Sequence, residues 1–346
     1  MDGDTLIKQN IKCICTIIGI IIGAGFASGK EIYLFFNKYN SNGLIGIIIA
    51  SLILGTITYK SLYLIKKYNI QNYEELLKLI TKNKFKNKKI NKVYIIKMIV
   101  NVFLLISFFI MIAGFTAYIE QELGINKILG STIIAFLCYI TFNKDIEGIV
   151  KISLILIPII ITFIIILGTK NLEFYQYIKI ETTDKYKWII SAILYASYNT
   201  ITLITVLPSL KKYIKNKRQL GIVSISISVI IMLLATIIYA MLLKIDININ
   251  SIELPTIYVV AKYGIIYKKI FGTIILGAIY TTAISSGYGF LENISKNKKQ
   301  YDNYSFLICS ASIPISTLGF SNMVAIAFPV FGVLGLIQII LLIFKL

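Results

Sequence analysis

Histidine is absent from the 346-residue sequence, and charged residues make up only 15% of it. The missing histidine excludes a Ser-His-Asp triad, a histidine general base and every metal site built on imidazole. The four cysteines, Cys13, Cys15, Cys138 and Cys309, include no Cys-x-x-Cys pair. They are better explained as buried apolar side chains than as a metal site or a disulfide framework. Because no apolar segment carries paired carboxylates or a metal-ligand cluster, we expect a protein that is not an enzyme.

Apolar residues are abundant, at 57% of the chain with a mean hydropathy of +0.80. A soluble domain would carry about 25% charged residues, so this composition is that of a membrane protein. A helix needs roughly 20 mostly apolar residues to cross a bilayer. We predict an all-α polytopic membrane protein with ten transmembrane helices. The predicted spans are 11–36, 42–66, 93–119, 127–143, 146–168, 187–209, 218–244, 267–293, 303–320 and 321–345.

The basic residues are distributed unequally along the chain, which has a formal net charge of +19. They lie in short runs between apolar segments, a pattern typical of membrane topology rather than nucleic-acid binding. With the N-terminus inside, 24 of the 35 lysine and arginine residues fall on the inner side and 11 on the outer side. We therefore predict a multi-pass membrane protein with both termini cytoplasmic. The lipid bilayer is an expected partner, and nucleic acid is not.

The first span contains an unusual concentration of small residues. Glycines stand at 19, 23, 25 and 29, with Ala24, Ala27 and Ser28 between them. Glycine costs about 1 kcal/mol in a helix interior relative to alanine, so this stretch favours local unwinding. Unwound backbone is tolerated in a bilayer only where it lines a protein or water cavity, and its N–H groups would then face an anion. The same four-residue spacing of glycines also fits close helix packing.

The sixth span carries a polar run, Ser197-Tyr198-Asn199-Thr200, in an otherwise apolar segment. Buried amides and hydroxyls cost several kcal/mol unless they are satisfied, so we predict a second interruption here. Residue 197 follows residue 23 by 174 positions, and half of 346 is 173. Two interrupted spans half a chain apart, with five spans in each half, are the pattern of inverted repeats around a midplane site. The predicted repeats are 1–168 and 169–346.

The ten-span pattern resembles the LeuT-fold amino acid–polyamine–organocation transporter superfamily over nearly the whole chain. Within it, the segment Ile22-Gly-Ala-Gly-Phe-Ala-Ser-Gly-Lys-Glu-Ile32 is similar to the signature of YkvI-type bacterial membrane proteins. The resemblance implies a 5+5 inverted repeat, broken helices 1 and 6, and alternating access to a central site.

The same resemblance implies which residues bind substrate. Gly23-Ala24-Gly25 is similar to the superfamily's Gly-x-Gly in helix 1, whose amides bind the substrate carboxylate, so the amides of Gly25 and Phe26 are expected donors. Helix 3 usually supplies an apolar or aromatic wall, and helix 6 contributes at its break. The candidate substrate-binding residues are Gly23, Ala24, Gly25, Phe26, Ser28, Ser197, Tyr198, Asn199 and Phe108.

A candidate cation site lies in the eighth span, where Ala278, Thr281 and Thr282 share one helical face. Two hydroxyls and free carbonyl oxygens suit a hard cation. The pattern resembles the helix 8 part of the sodium site of LeuT-like members, for which the matching helix 1 carbonyls would be those of Gly19 and Ile22. Threonines in membrane helices also bond to their own backbone, so ordinary packing is the alternative. Apart from Na⁺ as a coupling ion, no cofactor is expected.

Lys151 offers an alternative to sodium. Its surroundings resemble helix 5 of sodium-independent members, where a lysine ammonium stands in the sodium position and can carry a proton. The same lysine near the end of its span could instead extend to water. An ammonium group and Na⁺ a few ångströms apart repel strongly, so the sequence supports one of them and not both. A further charge pair, Lys30-Glu31, either gates the site, anchors an ionic substrate group or is locally neutralised.

The predicted function is secondary active transport of a small zwitterionic or amine solute, with an amino acid favoured, coupled to Na⁺ or H⁺. The alternative is a solute sensor or receptor subunit that keeps the fold without transporting. The sequence leaves the solute, the coupling ion, the direction of transport and the oligomeric state open.

Overall fold

The computed structural model describes residues 3–81, 92–143, 146–169, 186–245 and 252–344. Every regular element within these ranges is helical. The α-helices are α1 Gly3–Ile21, α2 Ala24–Ala27, α3 Lys30–Phe35, α4 Ser41–Lys67, α5 Tyr73–Thr81, α6 Lys92–Leu123, α7 Lys127–Phe142, α8 Ile146–Thr169, α9 Lys187–Val206, α10 Lys217–Leu242, α11 Pro255–Ala261, α12 Ile265–Ile294, α13 Lys298–Ile315 and α14 Phe320–Ile343. Short 3-10 helices cover Asn37–Tyr39, Leu207–Tyr213 and Ser316–Leu318.

Six of the described helices are long and apolar enough to cross a membrane, namely α4, α6, α9 with its 3-10 extension, α10, α12 and α14. Two shorter apolar helices are α7 and the Ser153–Thr169 part of α8. Their bounds agree with the predicted spans to within a few residues at most ends. The count of ten spans stays a prediction, because α1 and α13 are not among these helices.

The core of the bundle forms around α1, α9 and α12. α1 contacts α8, α9, α10 and α12, whereas α9 packs against α14 and α4, and α12 packs against α6. The apolar windows of α9 and α12 are each 72% buried, against 39% for that of α10. Groups on the inner faces of α1, α9 and α12 are therefore screened from lipid by other helices.

The predicted interruption of the first span is confirmed. α1 ends at Ile21, Gly23 has extended backbone, and α2 is a single turn that ends before Ser28. Gly29 then adopts a left-handed conformation with φ of +80°, which a side chain would disfavour. We call residues 22–29 the helix break.

The predicted break in the sixth span is wrong. α9 runs without interruption through Ser197-Tyr198-Asn199-Thr200. The polar side chains are satisfied locally, since Ser197 and Asn199 donate to the carbonyl oxygens four residues earlier, at 2.7 and 3.0 Å. With no glycine or proline in this stretch, nothing forces unwinding. The helix changes only from Leu207, where Pro208 introduces the 3-10 segment.

A turn separates the last two helices, close to the predicted boundary between spans 303–320 and 321–345. α13 ends at Ile315, a 3-10 turn follows, and Gly319 has φ of +90° before α14 begins. A glycine is favoured there because other side chains rarely adopt that backbone conformation.

A short amphipathic helix, α5, connects α4 to α6. Asn72 caps it by accepting a hydrogen bond from the Glu75 amide at 2.9 Å, and its apolar face is buried. Glu74 contacts Lys78 at 2.7 Å and Lys97 of α6 at 2.6 Å. These two ammonium groups lower the pKa of Glu74 from 4.5 to about 2. α5 is therefore fixed to the bundle by an apolar face and by a charge network.

Candidate functional site

The helix break presents backbone groups to the centre of the bundle. The amides of Ala27 and Ser28 close the single turn of α2 on the carbonyls of Gly23 and Ala24, at 2.9 and 2.8 Å. The Ala24 amide donates to the Met111 sulfur at 3.5 Å. Among the described residues, the amides of Gly25 and Phe26 have no acceptor. These two groups are the ones that the sequence predicted as donors to a ligand.

The predicted cation residues come together where α1 meets α12. The Thr282 hydroxyl donates to the carbonyls of Gly19 and Ile22, at 3.2 and 3.3 Å. Thr281 donates to the Ala278 carbonyl at 2.9 Å, within its own helix. The close approach requires glycine at position 23, because a Cβ there would stand 3.0 Å from the Thr282 Oγ1. The result is a buried group of hydroxyl and carbonyl oxygens, the donor type that hard cations prefer.

The residue of α8 that faces this oxygen group is Ser153 and not Lys151. A Cβ on Gly19 would lie 3.2 Å from the Ser153 Oγ and 3.3 Å from the Ile157 Cδ1. Ser153 is buried, whereas Lys151 is exposed. Sequence reasoning missed Ser153, although it is the polar residue one helical turn before the apolar Ile157 on the same face.

An aromatic cluster lies beside the helix break. It comprises Phe35 of α3, Tyr195 and Tyr198 of α9, and Phe328 of α14. The Tyr198 ring stacks on Phe328 with centroids 4.7 Å apart and on Phe35 at 5.5 Å, and it meets Tyr195 edge-on at 5.5 Å. All four side chains are buried. Three separate segments of the chain therefore build one apolar wall.

Glu31 is the charged member of the site. Its carboxylate is only 3% exposed and accepts a hydrogen bond from the Tyr198 hydroxyl. The side chain folds back onto α2, since a Cβ on Gly25 would stand 2.6 Å from the Glu31 Cγ and 2.7 Å from its Cδ. No described lysine or arginine forms an ion pair with it. Glycine at position 25 is therefore what admits the carboxylate.

Lys30 points away from Glu31, so the two residues do not act as a pair. The Lys30 ammonium donates to the Ile252 carbonyl at 2.8 Å, in the segment that leads into α11. In the sequence these neighbours suggested one charge pair. The structure divides them because consecutive residues of α3 lie about 100° apart around the helix axis.

Several predicted binding residues contact their own helix or a neighbouring ring. Ser197 and Asn199 bond to their own helix, and the Ser28 hydroxyl donates to the Gly25 carbonyl at 3.3 Å. Phe108 packs on Phe142 with ring centroids 5.8 Å apart. On α6 the residues that approach the break are instead Met111, through its sulfur, and Gly114, where a Cβ would be 3.1 Å from that of Ala24.

One end of the site is covered by α11. The Thr256 amide donates to the Ser28 carbonyl at 2.9 Å, and its hydroxyl donates to the Ala27 carbonyl at 2.8 Å. The preceding Glu253 accepts a hydrogen bond from the Ser321 amide of α14 at 2.7 Å. α11 thus ties the end of the helix break to the start of α14.

A cavity of about 590 Å³ lies near α5, at the C-terminal ends of α9 and α12. Its lining includes Tyr73, Glu74, Thr205, Pro208 and Glu292. Thr205 stands two turns beyond Tyr198 along α9, so the cavity lies toward one end of the bundle and α11 covers the other. The end of the bundle at α11 is therefore covered, and the cavity lies at the opposite end.

No protein-family model matches the chain. It is 24% identical over 338 residues to the uncharacterized membrane protein YkvI of Bacillus subtilis, covering 92% of this chain and 91% of that protein. It is also 24% identical over 341 residues to the uncharacterized protein YyaD of the same organism, covering 97% of this chain and 96% of that protein. The resemblance to YkvI-type proteins that the segment Ile22–Ile32 indicated is thereby confirmed.

Solved structures identify the fold. A Na⁺-coupled sialic acid symporter in a substrate-bound outward-open state matches 97% of this chain and 78% of its own, with a TM-score of 0.67 and 14% identity. MhsT in complex with L-phenylalanine matches 98% of this chain and 88% of its own, with a TM-score of 0.56 and 15% identity. Mhp1, a nucleobase-cation-symport-1 family transporter, matches 89% of this chain and 73% of its own, with a TM-score of 0.55 and 9% identity. The chain has the LeuT-like fold predicted from its sequence.

Proposed function

We propose that this protein is a secondary active transporter that moves a small zwitterionic or amine solute across the bacterial cytoplasmic membrane by alternating access. The observation that carries the proposal is the helix break, which places the free amides of Gly25 and Phe26 beside the aromatic cluster, inside the bundle. Unwound backbone at that depth is tolerated only where it is buried in protein or lines a water-filled cavity. The Na⁺-coupled sialic acid symporter and the nucleobase-cation-symport-1 family transporter Mhp1, which share this fold, support the class of function.

The proposed architecture has ten spans in two inverted repeats, 1–168 and 169–346, with both termini in the cytoplasm. In this topology α11 lies on the outer side and α5 on the cytoplasmic side. The contacts of Thr256 with Ala27 and Ser28 then form the outer closure. The cavity near Glu74 and Glu292 forms the cytoplasmic vestibule. This conformation is the inward-facing member of an alternating pair. Bound solute shifts the balance between the inward-facing and outward-facing members by the difference in its affinity for the two.

Na⁺ is the coupling ion favoured by the geometry. Its ligands would be the carbonyls of Gly19, Ile22 and Ala278 and the hydroxyls of Thr281 and Thr282, with Ser153 close by. Oxygen ligands of this kind suit a hard cation. The exposure of Lys151 supports Na⁺ over a lysine ammonium at this position, because the ammonium group does not face Gly19.

The function involves no covalent chemistry, and counterflow tests it directly. Purified protein in liposomes preloaded with unlabelled solute should take up labelled solute from a panel of amino acids and amines. Replacing Na⁺ by choline should lower the uptake, and protein-free liposomes provide the control. Saturable binding without counterflow would instead identify a sensor that keeps the fold, and counterflow that depends on pH alone would make H⁺ the coupling ion.

A further inference from the structure

The strongest additional feature is a buried carboxylate at the point where a ligand's anionic group was expected. Glu31 lies against the Cα of Gly25, one residue from the free amide of Phe26. The protein thus supplies an anion beside the helix break from its own chain. A solute class assigned to that site rests on the proposed function, because it presumes that the break binds the transported solute.

The electrostatics of Glu31 leave a place for one positive charge. An ionised carboxylate buried without a partner carries a large desolvation cost. Here one oxygen accepts from the Tyr198 hydroxyl, and the other, Oε1, lies at Gly25 with no donor among the described residues. Lys30, the cation next in sequence, donates to the Ile252 carbonyl instead. An ammonium group would satisfy Oε1 as a charge-assisted donor.

The neighbouring groups suit an amine with an apolar body. The rings of Phe35, Tyr198 and Phe328 provide an apolar wall beside Glu31. The Tyr195 hydroxyl is buried there, and no described residue hydrogen-bonds to it, so it can accept a further N–H. A solute carboxylate at the same position would be repelled by the Glu31 carboxylate. The site would therefore discriminate against solutes that carry a carboxylate.

We propose that Glu31 binds the ammonium group of the transported solute and selects organic amines that lack a carboxylate over the corresponding amino acids. In this role Gly25 is required to leave room for the Glu31 side chain, and Tyr198 positions its carboxylate.

Matched ligand pairs that differ only in the carboxylate test the proposal. The purified full chain is titrated with phenethylamine against phenylalanine, and with isoamylamine against leucine, and thermal stabilisation is measured. Each amine should half-saturate at a concentration about tenfold or more below that of its amino acid, as expected for one charged hydrogen bond. An amino acid that stabilises better than its amine overturns the proposal, and this comparison needs no variant.

Variants then test the residue. Glu31→Gln keeps the size and an acceptor for Tyr198 but removes the charge, so amine affinity should fall about 10- to 100-fold and the preference over amino acids should disappear. Glu31→Asp keeps the charge and should retain the preference. Glu120→Gln is the matched control, because this acid is exposed and pairs with Lys127 at 3.3 Å; it should change nothing.

The outcomes separate this proposal from transport itself. Glu31-dependent amine binding without counterflow supports the solute class and refutes transport. Counterflow of amino acids that Glu31→Gln leaves unchanged supports transport and overturns the solute class. If Glu31→Gln abolishes the pH dependence of uptake but leaves the amine preference intact, the carboxylate carries a proton, and the proposal is also overturned.

Discussion

The first and sixth spans both bring polar groups into the apolar centre of the bundle, but only the first is interrupted. In α9, Ser197 and Asn199 donate to carbonyls of the same helix, so the backbone stays regular. In the first span the glycines have no side chains to do this. The carbonyls of Gly19 and Ile22 accept instead from Thr282 of another helix. A break therefore depends on glycine together with a tertiary donor, and polar side chains alone do not produce one.

The largest effect is expected from filling the helix break at Gly25. Gly25→Leu would displace the Glu31 carboxylate and cover the amides of Gly25 and Phe26, so solute affinity should fall at least about 100-fold while the protein still folds. Thermal stabilisation by solute and uptake into proteoliposomes measure this, with gel filtration to confirm folding. Gly221→Leu is the control, because nothing lies within 4 Å of a Cβ at that position. Undiminished uptake by Gly25→Leu would contradict the assignment of the break as the binding site.

A smaller effect is expected from removing the tertiary donor. Thr282→Val leaves the carbonyls of Gly19 and Ile22 without its hydroxyl, so unfolding free energy should fall by about 1–3 kcal/mol and Na⁺ stimulation of uptake should be lost. Thr273→Val on the same helix removes an exposed hydroxyl that donates to the Lys269 carbonyl at 3.0 Å, and it should have little effect. Uptake by Thr282→Val that still responds fully to Na⁺ would show that the coupling ion binds elsewhere.

The smallest effect is expected in the sixth span. The Thr200 hydroxyl donates to the Ala196 carbonyl at 2.7 Å, within an unbroken helix, so Thr200→Val should change the unfolding free energy by under about 1 kcal/mol and preserve uptake. Thr58→Val provides a buried match in α4, where the hydroxyl donates to the Leu54 carbonyl at 2.8 Å. A much larger effect at Thr200 than at Thr58 would indicate that α9 unwinds there during transport.

Sequence patterns predicted the features that depend on neighbouring residues. Span bounds follow from local hydropathy, and the break at Gly23 follows from the backbone cost of glycine in a helix. The polar run at Ser197 misled the prediction, because its composition does not show whether side chains bond within the helix or leave it. The sequence also left undetermined which way the Phe108 side chain points, because a shift of one residue along a helix moves a side chain to a different face.

By itself, the sequence determined that this chain is a helical membrane protein whose first span is interrupted, because burial of apolar residues and the helix penalty of glycine act locally. Only the tertiary structure decided that Glu31 faces Gly25 while Lys30 faces Ile252, that Ser153 rather than Lys151 faces Gly19, and that α11 covers the helix break. Each of these results depends on how separate helices rotate and pack against one another. That packing is fixed by contacts between residues far apart in the chain.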